Sequence, residues 1–159
     1  MPTITTIQFT QDQMRTVTGV SIETVRHWRK IVPYLATKAG KAARFSFADL
    51  LGLAVTNELV GSLGVHIGSV SAGVDKLFEL LTAANAPALE GAIAYITSTS
   101  ASLQESSSWN TTTRALKQPA LVIPLDPLIA QLQQHMLPMM PAPTQTALPF
   151  PPEAVRSRT

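Results

Sequence analysis

Cysteine is absent from the 159 residues. That excludes disulfides, thiolate zinc sites, iron–sulfur clusters and a cysteine nucleophile. Charge is scarce at 14%, against roughly a quarter in an average globular chain. Three histidines (His27, His66, His135) are scattered, too few and too far apart in sequence for an all-histidine metal centre. His66 and His135 fall in mostly apolar stretches and read as structural. The first ten residues, MPTITTIQFT, contain no basic run followed by an apolar core, which is the pattern of a signal peptide. The most apolar stretch, Leu50 to Val70, is interrupted by Asn57, Glu58, Ser62, His66 and glycines. A membrane span needs about 20 nearly uncharged residues, so buried helices and a cytoplasmic location are expected.

No Lys-Ser/Thr follows the glycines at 61, 64, 68 and 73, so they form no phosphate-binding loop. Asp75 and Glu79 stand four apart beside Lys76 and read as a solvated helix face. The Ser-rich runs contain hydroxyls but no identifiable base. No catalytic constellation, metal site or cofactor is therefore expected, and the chain reads as a non-enzyme.

What remains is 45% hydrophobic with a mean hydropathy of +0.18, enough for a real core. The low charge also points to a surface suited to self-association. The net charge of +2 conceals a polarity. Residues 1–50 hold seven Lys/Arg against three acids, a net of +4. Residues 51–159 hold five against seven, a net of −2. A basic N-terminal third points to an anionic partner, with nucleic acid first.

The punctuation of that third is specific. Thr10 and Gln13 have the spacing of a capping box, and Met14 and Val17 form an apolar stripe. Gly19 suits a left-handed helix stop, and Ser21 is the next N-cap. A second helix is expected over 22–31, with Ile22, Val25, Trp28 and Val32 inward and Pro33 closing it. Two short helices joined by Thr18-Gly19-Val20-Ser21 make a helix-turn-helix pattern. Glu23, Thr24, Arg26, His27 and Lys30 then point outward. Gly40 between Lys38 and Lys41 suits the tip of a basic hairpin over 36–45, with Arg44–Phe47 as its returning strand. Helices are expected over 48–62 and 65–81. Ile67, Val70, Val74, Leu77 and Leu81 form a short heptad seam in the second, better suited to internal core than to a coiled coil.

These residues resemble the MerR-type regulators. Thr18-Gly19-Val20-Ser21 through Thr24-Val25-Arg26-His27-Trp28 is similar to that family's recognition helix. Arg44-Phe45-Ser46-Phe47-Ala48-Asp49-Leu50 is similar to its passage from wing to helix, and Leu63-Gly64-Val65-His66-Ile67 to its next helix entry. The likeness covers about residues 8–81. It implies a winged helix-turn-helix domain over 1–82 that binds double-stranded DNA as a homodimer and regulates transcription. Asn85-Ala86-Pro87 departs from the family's long pairing helix.

In that frame Ser21, Glu23 and Thr24 would face base edges. Arg26, His27 and Lys30 would reach phosphates, with guanine an alternative for Arg26. Lys38, Lys41 and Arg44 in the wing would hold flanking phosphates or the minor groove. The same pattern also fits a phage or mobile-element DNA-binding protein of excisionase or small-terminase type, or a winged helix used as a protein-interaction adaptor.

The mainly α reading continues with a smaller helical lobe over 83–137 for dimerisation or partner contact. Residues 87–96 read as a helix, and 97–113 (TSTSASLQESSSWNTTT) as a loop with Trp109 as a packing anchor. Ala120–Leu125 is an edge-strand candidate limited by Pro124. Asp126-Pro127 has the form of an N-cap followed by proline at the first helical position. Residues 138–159 read as a disordered proline-rich tail.

Overall fold

A computed structural model of the chain describes residues 7–139. They fold mainly as helices with one small sheet. Helix α1 (Gln11–Thr18) starts in the expected capping box. The Thr10 amide donates to Gln13 Oε1 at 2.9 Å, and the Gln13 amide to Thr10 Oγ1 at 3.2 Å. Gly19 ends the helix at φ 75°, a left-handed turn that a side chain would strain. Helix α2 (Ile22–Arg29) follows from the Ser21 N-cap. Pro33 does more than close α2. It opens a four-residue helix, α3 (Pro33–Ala36).

Helix α4 (Phe47–Asn57) begins at a second capping box, Ser46 with Asp49. It continues as a wide turn over Glu58–Ser62. The helix is buried almost all round, because α1, α5 (Ser71–Ala83) and α8 (Asp126–Met136) surround it. The single helix expected over 65–81 is broken. A 3₁₀ turn, Ile67–Ser69, precedes α5. All five seam residues are nonetheless buried in the chain's own core.

Beyond α5 the expectation of a helical lobe with a single edge strand is corrected. A short helix α6 (Ala86–Leu89) gives way to strand β1 (Ala92–Ile96), where a helix was expected. The Ser/Thr-rich stretch is not a loop. It contains strand β2 (Ala101–Glu105) and helix α7 (Trp109–Ala115). Strand β3 (Leu121–Pro124) completes an antiparallel sheet of order β2-β1-β3, so Pro124 does lie on an edge. Tyr95 stands opposite Ser102 on one side and Val122 on the other. As the central strand, β1 is buried on both faces and shows no apolar–polar alternation. Its sequence AIAYI therefore carries no period that separates strand from helix.

Trp109 does pack, stacked on buried Tyr95 at 6.1 Å between ring centroids, but it does so from the surface and is 42% exposed. Asp126 is the first residue of α8 rather than its cap. Its carboxylate accepts from the Gly91 amide at 2.9 Å, tying α8 to the entry of β1.

Helix α8 returns across the fold onto α1 and α4. His135 Nδ1 lies 3.2 Å from the Val17 carbonyl. A carbonyl only accepts, so the proton sits on Nδ1 and satisfies one of the free carbonyls at the end of α1. One continuous core runs from Phe9 to Met136 and crosses the expected boundary between residues 82 and 83. The first two residues of the tail expected over 138–159 belong to a 3₁₀ turn, Leu137–Met139, and its remainder lies outside the described residues. Among the described residues, no helix is long and apolar enough to cross a membrane.

Candidate nucleic-acid interface

Helix α2 turns Val25 and Trp28 inward, both buried. Glu23, Arg26, His27 and Lys30 are exposed. Their offsets of 0, 3, 4 and 7 place them on one helix face. The approach to this face is rigid. Thr18 Oγ1 donates to the Met14 carbonyl at 2.7 Å and accepts from the Val20 amide at 3.2 Å. Ser21 is a capping residue first: its Oγ accepts from the Thr24 amide at 3.1 Å and lies 2.8 Å from Thr24 Oγ1. The two half-buried hydroxyls expected at base edges are thus partly occupied by each other.

The last turn of α2 holds a residue missed in the sequence. Arg29 lies between the inward and outward faces and is half-buried. Its Nε and one terminal nitrogen are shielded from solvent and have no hydrogen-bond partner among the described residues. Desolvation, and next the charge of Arg26, lower its pKa from the ordinary arginine value. An acceptor-less guanidinium beside a second cation is an arrangement that an anion relieves. The only sequence signal was its charge in the last turn of the second helix.

The hairpin expected over 36–45 does not form. Residues 33–36 are taken by α3, whose Tyr34 amide donates to Asp75 Oδ1 at 2.7 Å. Asp75 is therefore a cap for α3 rather than part of a solvated face, whereas Glu79 is exposed and pairs with Lys76 at 3.4 Å. The segment after α3 turns at Gly40 and returns through Phe45, which pairs with Phe9 instead of residue 36. The Phe9 amide donates to the Phe45 carbonyl at 2.7 Å, and the Phe45 amide to the Phe9 carbonyl at 2.9 Å. The returning segment is thereby tied to Phe9, just ahead of the N-cap of α1.

The three basic residues of this loop lie together but differ in role. Lys38 Nζ sits 3.2 Å from Asp49 Oδ2 and donates to the Arg44 carbonyl at 3.3 Å. The Arg44 guanidinium donates to the Ala43 carbonyl at 3.0 Å while remaining exposed. Lys41 is exposed. Among the described residues, no carboxylate pairs with Arg26, Arg29, Lys30, Lys41 or Arg44. Among the described residues, no side-chain hydrogen bond or ion pair joins the α2 face to the loop.

Asp49 anchors the loop. Fully buried, it accepts from the Ser46 amide at 2.9 Å and from the Tyr34 hydroxyl at 2.6 Å, besides pairing with Lys38. The Tyr34 ring stacks on Phe78 at 4.9 Å, and its oxygen lies 3.0 Å from Thr82 Oγ1. Burial, followed by the hydrogen bond to Asp49, pushes the Tyr34 phenol up to about 12. The signal for Asp49 was present as Ser46-x-x-Asp49, the spacing of a capping box. No group of three His, Cys, Asp or Glu side chains suited to a metal ion occurs among the described residues.

No family model matches the chain, and neither a curated protein nor a solved structure matches it.

Proposed function

We propose that the chain is a cytoplasmic, homodimeric regulator of transcription that binds double-stranded DNA, with α2 in the major groove and loop 37–44 on the flanking phosphates. One observation carries this reading: the five cations Arg26, Arg29, Lys30, Lys41 and Arg44 have no carboxylate partner among the described residues. A folded domain usually interleaves charges of both signs. Three of the five lie at the end of α2, where they outnumber the exposed Glu23 on that helix, and such an excess of positive charge fits the phosphate backbone. The likeness of residues 18–28 and 44–50 to MerR-type regulators adds the groove assignment. In this reading Glu23 and Thr24, at the start of α2, read bases. Arg26 holds a phosphate in the same reading, and the charge of Arg29 beside it adds to the attraction. A single short helix covers few base pairs, and two copies would supply two half-sites.

Fluorescence anisotropy on a mixed-sequence duplex pool, titrated across salt, tests the proposal. Affinity is expected to fall with salt at a slope of about −0.9 per phosphate contact. Arg26→Ala and Arg44→Ala should each weaken binding and lower that slope by about one contact without altering the unfolding midpoint. Absence of binding at low salt, or binding indifferent to both substitutions, overturns the assignment.

A further inference from the structure

A half-open apolar groove of about 640 Å³ has no cationic residue in its lining. Its walls include Ile7, Phe47, Leu81, Leu89 and Met136, contributed by the segment before α1 and by α4, α5, α6 and α8. Ile7 is 51% exposed, and Leu137, next to Met136, is 67% exposed. Large apolar side chains left open around an apolar depression mark a surface that something covers.

The chain itself contains a fitting occupant. The described residues end at Met139, three positions after Met136 in the groove wall. The next apolar cluster is Leu148-Pro149-Phe150, followed by Pro151 and Pro152. Eight residues, 140–147, separate it from Met139 and can span up to about 30 Å. Proline-rich segments are preordered and rich in free carbonyls, and they bind in grooves that offer an aromatic wall and side-chain donors. Here Phe47 supplies the ring and Gln133 an amide at the rim. Tethering at this length gives an effective concentration in the millimolar range, so even weak intrinsic affinity fills the groove.

We infer that residues 148–152 of the same chain dock in this groove, with Leu148 and Phe150 as anchors. The docked segment would brace the first turn of α4 against α8. Because the chain has no cysteine, Ala154→Cys gives a single attachment point for a nitroxide label on the full-length protein. The label is expected to quench most of the amide signal intensity of Ala48, Ala84 and Gln133. Leu148→Asp with Phe150→Asp in the same labelled chain should restore those signals, and neither change touches the described core. Each of these outcomes overturns the inference: no quenching, quenching that persists in the double variant, or quenching carried from labelled chains to isotope-labelled unlabelled partners. The last of these would assign the groove to a second copy. A signal change at the groove that follows substitutions in residues 1–6 but not those at 148 and 150 would assign it to the other end and equally overturn the inference.

Discussion

Lys38→Ala separates a lysine that holds the fold from lysines free to hold DNA. Its ammonium stands 3.2 Å from a carboxylate that is 0% exposed, while its own side chain is 26% exposed. At an effective dielectric near 20, that separation corresponds to about 5 kcal/mol of attraction before desolvation is charged against it. Asp49 keeps two donors without Lys38, the Tyr34 hydroxyl and the Ser46 amide. The carboxylate is therefore weakened rather than orphaned. The net cost lies between the ~1 kcal/mol ceiling of an exposed pair and the ~3–5 kcal/mol of a broken buried one, at about 2 kcal/mol. Urea unfolding should show this as a midpoint lowered by about 1 M at unchanged slope. Lys41→Ala, with no ion pair to lose, should stay within about 0.5 kcal/mol of the parent. On DNA the order reverses. Lys41→Ala should lower the salt slope by about 0.9, and Lys38→Ala should leave it unchanged where the protein is folded. Parental stability for Lys38→Ala together with a reduced slope would refute the pairing with Asp49.

Two further outcomes follow from the packing and from Tyr34. Gly73→Ala places a methyl against the Thr97 carbonyl oxygen and 2.9 Å from that of Ser100, both backbone atoms that cannot swing aside. Its overpacking cost of about 1–3 kcal/mol should exceed the ~1 kcal/mol that alanine contributes to a helix. Gly61→Ala meets only Asn57 Oδ1 at 3.6 Å and should be neutral or stabilising, so opposite shifts in thermal midpoint are expected. Equal signs would show that α5 does not approach the β1–β2 turn this closely. The Tyr34 phenol, pushed up to about 12, holds its proton more tightly folded than unfolded. Its contribution is whole below the unfolded value near 10 and is lost as pH rises from about 10 to about 12. Tyr34→Phe should remove that part of the alkaline loss in a denaturation series, and identical profiles for the two proteins would contradict the burial of the phenol together with its hydrogen bond to Asp49.

Legibility in the sequence varied with the range of the interaction. The Thr10–Gln13 box, the Gly19 stop and the Ser21 cap were readable because each is satisfied within four residues. The inward Val25 and Trp28, and the seam from Ile67 to Leu81, were readable because helical period repeats locally even where the helix itself is interrupted. Strand β1 was not, because two flanking strands and the layers on both faces erase its alternation. Strand β2 was hidden in a serine-rich run whose pairing partner supplies what its composition does not. The hairpin failed for a related reason. Gly40 correctly marks the turn, but the partner of Phe45 lies 36 residues upstream at Phe9.

The candidate interface divides the same way. Which side of α2 faces outward follows from residue spacing alone, so Glu23, Arg26, His27 and Lys30 were accessible without coordinates. What each cation does was not. Lys38, Lys41 and Arg44 are equivalent basic residues in the sequence, and only the folded chain places a buried carboxylate beside the first of them. Likewise, only the folded chain shields part of Arg29 from solvent without giving it an acceptor. The sequence by itself determined the caps, turns and faces of the N-terminal helices, because local hydrogen bonds and helical period suffice for them. The tertiary structure alone decided the sheet, the path of the loop and the roles of its charges, because partners far apart in the chain determine strand pairing and the burial of charge.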